Sequence, residues 1–137
     1  MDNNNTTTKK ILVLLNDTDP LLSMVTKKTL IKKMGWECIV AVSYDEAVEA
    51  FKINGPDMVI TEILILDHKN RNGITLVEEL RQIENPKPKK TPIIIFSDLD
   101  DEESFEKALK SGATSCLSKN NISLDEFIND IQQYLVD

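Results

Sequence analysis

Four places in the 137-residue chain carry side chains that could do chemistry together. Glu62 stands at the exit of the apolar run MVIT, Ser97 follows PIIIF, and Lys119 follows SCLS. Asn16, Asp17 and Asp19 form an acidic turn after the first apolar run, ILVLL. Two or three carboxylates beside a hydroxyl and an ammonium suit a hard cation and a phosphoryl group. Carboxylate oxygens hold Mg²⁺ while it keeps most of its waters. Lys and Ser side chains can hold the oxygens of a transferring phosphoryl group. Any one of these residues alone is a polar group at a strand exit that meets water, so the signal lies in their joint placement.

That placement depends on the elements that carry them. In the stretch 56–66, PDMVITEILIL, the apolar run 58–61 is entered at Pro56-Asp57 and left after Leu66 into a polar loop; it reads as a strand buried on both faces, with Glu62 where the strand ends. A strand of that kind belongs in a parallel sheet covered by helices on either side. Residues 11–15, 37–42, 93–96 and 115–118 supply four more strands. Helices are expected between them. Asp19 with Pro20 opens the first, which Gly35 stops. Ser43 and Glu46 have capping-box spacing for the second, which ends near Asn54-Gly55. Ile74, Leu76, Val77, Leu80 and Ile83 mark the third. Phe105, Ala108 and Leu109 mark the fourth, closed by a left-handed Gly112. Ser123 and Glu126 open the fifth with another capping box. Five strands alternating with five helices predict an α/β doubly wound, flavodoxin-like parallel sheet in the order 2-1-3-4-5. In open sheets of this type, sites form beyond the carboxyl ends of the strands, which is where all four chemical positions fall.

Composition narrows the classes. One domain over 10–137 is expected, behind a polar Asn/Thr-rich tail at 1–9 that reads as disordered. A net charge of -7 without a basic cluster argues against nucleic acid and against an anionic membrane as partners. There is no apolar run of membrane-spanning length and no signal-peptide pattern, so the cytoplasm is the expected location. Cys38 and Cys116 read as small buried residues in strands, not as a disulfide or metal pair, and His68 reads as solvated in the polar loop 67–73. A flavin-binding or phosphatase reading of the same architecture meets an acidic, glycine-free turn at 16–19, which would repel phosphate.

Taken in order, the acidic turn, PDMVITEILIL, PIIIFSD and GATSCLSK resemble the receiver domain of two-component response regulators, the CheY-like fold, over residues 10–135. The resemblance places Glu62 at the phosphoacceptor position, Ser97 and Lys119 at the hydroxyl and lysine positions, and Asp17, with Asn16 or Asp19, in the acidic pocket. It implies a Mg²⁺ site at Asp17 and Glu62, expected to be weak or absent here because a Lys119 ammonium paired to Glu62 would compete. It also implies a protein partner, a histidine kinase or a downstream signalling protein. The contact face would be built by the fourth helix, fifth strand and fifth helix, at 101–110, 115–118 and 124–135.

The departures from the family pattern shape the functional expectation. The family's phosphoacceptor is Asp, and Glu moves the carboxylate outward by about 1.5 Å. A misplacement of about 1 Å can cost around a hundredfold in rate. Asn120 stands where the family usually has Pro after the lysine, and Cys116 stands where it usually has a switch aromatic. The loop after the third strand lacks the usual Pro and is longer. The expectation is therefore a non-enzymatic, stand-alone, degenerate receiver that works by protein–protein contact, with Glu62 imitating the phosphorylated state. The alternative is a receiver still phosphorylated on Glu62 or on a neighbour, Asp98 or Asp17. The Lys87–Lys90 connector and loop 67–72 are candidate contact surfaces.

Overall fold

The computed structural model describes residues 8–15, 34–84 and 90–135. The strands are β1 (Lys10–Leu14), β2 (Glu37–Val40), β3 (Met58–Thr61), β4 (Ile93–Ser97) and β5 (Ser115–Ser118). The helices described are α1 (Tyr44–Asn54), α2 (Gly73–Ile83), α3 (Glu102–Ser111) and α4 (Leu124–Gln132). The first predicted helix, with its Asp19-Pro20 start, lies outside the described residues, as do Asn16, Asp17 and most of the Lys87–Lys90 connector. All pairings are parallel, and the strands lie in the order β2-β1-β3-β4-β5, as expected.

Strand side chains alternate between two apolar layers. Leu12, Leu14, Val59, Ile93 and Ile95 face α1, α2 and α3, meeting Ala47, Phe51, Leu76, Leu80 and Ala108. Ile11, Val13, Met58, Ile60, Ile94 and Phe96 face the other way, against Phe127, Ile128 and Ile131 of α4 and against Trp36. Phe96 stacks on Phe127 with ring centroids 4.0 Å apart. Because the central strands are buried on both faces, their order and register are tightly specified, and so is the position of every strand end.

Helix ends follow the sequence signals with one partial exception. Ser123 and Glu126 make both arms of their capping box. Ser43 caps α1 by accepting from Glu46 N–H, but the Glu46 carboxylate accepts from Val42 N–H at 3.3 Å rather than from Ser43. A third box, Asn72 with Thr75, opens α2 without the usual acidic partner. Gly112 closes α3 in the left-handed region, as read from the sequence.

The third strand stops at Thr61, with Glu62 at its end as read; beyond it Ile63 turns into the core, whereas Leu64 and Leu66 leave the sheet and are exposed. One expectation needs correction. Cys38 and Cys116 are only half-buried, because both lie on edge strands whose outer sides lack a neighbouring strand.

Candidate functional site

The sheet order brings the ends of β3, β4 and β5 side by side, and three of the sequence-identified residues meet there. Glu62 is the first residue beyond β3, held by its N–H donating to Leu14 O. Lys119 is the first beyond β5, and its N–H donates to Ser97 O at 3.0 Å. Lys119 Nζ donates to Glu62 Oε1 at 2.6 Å, forming an ion pair between side chains only 11% and 6% exposed. Glu62 is therefore not a solvated residue at a strand exit, the alternative that its place in the run alone left open. The same ammonium lies 5.8 Å from the Phe96 ring centroid, on the cation-attracting side of an aromatic face.

Ser97 ends β4 and is buried. Its hydroxyl accepts from Leu99 N–H at 3.0 Å, so it also shapes the turn that leaves the strand. Asp98 is exposed, and its backbone carbonyl accepts from the Asn120 side-chain amide. The N-cap of α3 is Asp101. The Cys116 S–H donates to Phe105 O at 3.8 Å, and burial pushes the thiol up to about 11. It is therefore a neutral thiol packed beside α3, with too little surface to swing as an aromatic ring would.

Two groupings around the site were not legible beforehand. The first is a carboxylate bridge between the β4 and β5 exits. Asp100 Oδ2 accepts from Ser118 Oγ at 2.5 Å and from Asn120 Nδ2 at 3.1 Å. These two donors hold its carboxyl below the ordinary value. Ser97 and Ser118 are register partners, so the exits had to be adjacent, but nothing in the run DLDD singles out Asp100.

The second is the long loop after Glu62, expected to be a solvated polar segment. Asp67 accepts from Lys69 N–H, Arg71 N–H and two nitrogens of the Arg71 guanidinium. The guanidinium holds the Asp67 carboxyl well below the usual carboxylate range. Arg71 also lies 3.9 Å over the Tyr44 ring and pairs with Asp45 at 3.0 Å. Burial pushes the Tyr44 phenol up to about 12, and its hydroxyl donates to Glu79. His68 is exposed, as read. Gly73 brings the loop back against the Glu62 backbone: a Cβ there would sit 1.9 Å from Glu62 O, so only glycine fits.

Asp17, Asn16 and Asp19 fall outside the described residues, so the acidic half of the site is not placed. Among the described residues no group of three His, Cys, Asp or Glu is arranged to hold a metal ion. No helix among them is long and apolar enough to cross a membrane.

Comparison with known proteins agrees with this architecture. The family model for the response regulator receiver domain matches residues 13–132. A protein-glutamate methylesterase/protein-glutamine glutaminase 2 of Shewanella denitrificans is 32% identical over 117 residues, which cover 83% of this chain and 31% of that protein. The chain thus spans about a third of the length of that relative. A two-component response regulator from Clostridium difficile superposes with a TM-score of 0.77 at 22% identity, covering 93% of this chain and 96% of that one. A CheY-like receiver domain protein from Methanospirillum hungatei gives 0.77 at 19% identity, covering 94% of each. Sheet order, the residues at the strand exits and the family match converge, and the chain belongs to the response regulator receiver domains.

Proposed function

We propose that this receiver is degenerate: it signals by protein contact without being phosphorylated, with Glu62 standing permanently where a phosphorylated aspartate would carry charge. The observation that carries this reading is the buried Glu62–Lys119 ion pair at 2.6 Å. A carboxylate oxygen already satisfied by an ammonium, in a side chain almost out of solvent, is a poor nucleophile toward an external phosphodonor. The pair supplies one negative charge where a phosphoryl group would supply about −1.5 to −2, so the imitation is partial.

The same pair bears on Mg²⁺. The described carboxylate of the proposed metal set, Glu62, holds a cation already, so the described residues fit Mg²⁺ poorly. No step is assigned to the metal. The partner is a histidine kinase or a downstream signalling protein, met by α3, β5 and α4 in the cytoplasm. Leu109, half-exposed on α3, supplies an apolar contact on that face.

Amide spectra of the ¹⁵N-labelled protein test the reading. Addition of Mg²⁺ with acetyl phosphate is expected to leave the resonances of 98–120 in place, whereas Glu62→Gln shifts them. Wild-type shifts spreading across α3 and β5 on addition of the phosphodonor would overturn it.

A further inference from the structure

Asn120 differs from the residue type usual at this place in the family, and its contacts give it a task of its own. Its side-chain amide donates to Asp100 Oδ2 at 3.1 Å and to Asp98 O at 3.3 Å. Its backbone N–H donates to Ser118 Oγ at 3.1 Å, and that hydroxyl in turn donates to Asp100. A proline could supply neither the amide side chain nor the N–H. With the Lys119 N–H to Ser97 O bond and the Leu99 N–H to Ser97 Oγ bond, the segments 97–100 and 118–120 are stitched together beyond the end of the sheet. Ser118 is buried, so the central bond of this network is shielded from competing water.

We infer that Asp100, Ser118 and Asn120 form a latch that fixes the β4–α3 loop to the exit of β5, and so holds the start of α3 in one arrangement. Asp101, the residue after Asp100, caps α3, so the latch acts directly on the helix start. The opposite end of α3 is tethered as well. The Arg81 guanidinium donates to Gly112 O at 2.9 Å, to Thr91 O at 2.8 Å and to Thr114 Oγ1 at 3.4 Å. A helix held at both ends presents its outer face, with Leu109, in a single form. A partner that reads that face then loses no affinity to an unfavourable pre-equilibrium.

The latch does not depend on the proposed function, because none of its hydrogen bonds involves Glu62. Amide hydrogen exchange on the full chain tests it, comparing wild type with Asp100→Ala, Asn120→Ala, the double variant and Asp101→Ala. The latch predicts at least tenfold faster exchange at Leu99, Lys119 and Asn120 in each of the first two variants, with no further gain in the double variant and with Ile94 and Ile95 unchanged. Asp101→Ala should speed exchange at Ser104 and spare Asn120. Changes below twofold at these amides, acceleration spread evenly over the sheet, or the same pattern from Asp101→Ala would each overturn it.

Discussion

Lys119 and Glu62 are opposite charges taken almost fully out of water, and each offsets part of the cost of burying the other. Removing one partner from such a pair leaves an uncompensated buried charge, at a cost of about 3–5 kcal/mol. Lys119→Met should therefore lower unfolding free energy in urea by about 3 kcal/mol. The double change Lys119→Met with Glu62→Gln should recover much of that loss, because no charge is then left without a partner. If Lys119→Met is neutral, the pair is not buried as described. At this scale the sequence was informative about residue type and place: Glu62, Ser97 and Lys119 could be named because each directly follows an apolar run. It was silent about Asp100, one of three aspartates within four residues, because only the register of β4 against β5 decides which carboxylate meets Ser118.

Elements were legible where hydrophobic pattern and caps agreed, as in α4 with Ser123 and Glu126 or α3 with Gly112. The third strand ends at Thr61, as the run MVIT before Glu62 suggested. What the sequence did not show is the Asp67–Arg71 clamp beyond it, which ties the loop to Tyr44 and Asp45 at the start of α1. An ion pair between loop residues four apart leaves no periodic trace in a sequence. The clamp has a pH signature. The Asp67 carboxyl is held below its ordinary value in the fold, so its contribution is fully present above the unfolded value of about 3.9. It is lost as pH falls through the lower folded value. Thermal melts of wild type from pH 5 downward should show Tm falling in the acid range, and Asp67→Asn should start lower and fall less steeply. Parallel curves for the two proteins would show that Asp67 is not the group responsible.

Over the whole molecule, the fold is that of the response regulator receiver domains, and several contacts tie its strand exits and loops together. A buried ion pair joins the exits of β3 and β5, a small thiol of β5 packs against α3, and side-chain bridges join the loops that flank α3. Overall architecture was readable from alternating apolar runs alone, because a parallel sheet buried on both faces leaves few other solutions. Whether the domain still turns over phosphate was not readable, since that depends on where one carboxylate points and what it touches. Intact mass of the purified protein after incubation with Mg²⁺ and acetyl phosphate, with Glu62→Asp treated in parallel, tests the central claim most directly. The account predicts an unmodified wild type, with phosphoryl gain confined to the Glu62→Asp variant if it occurs at all. A wild-type protein that gains one phosphoryl group per chain would contradict it.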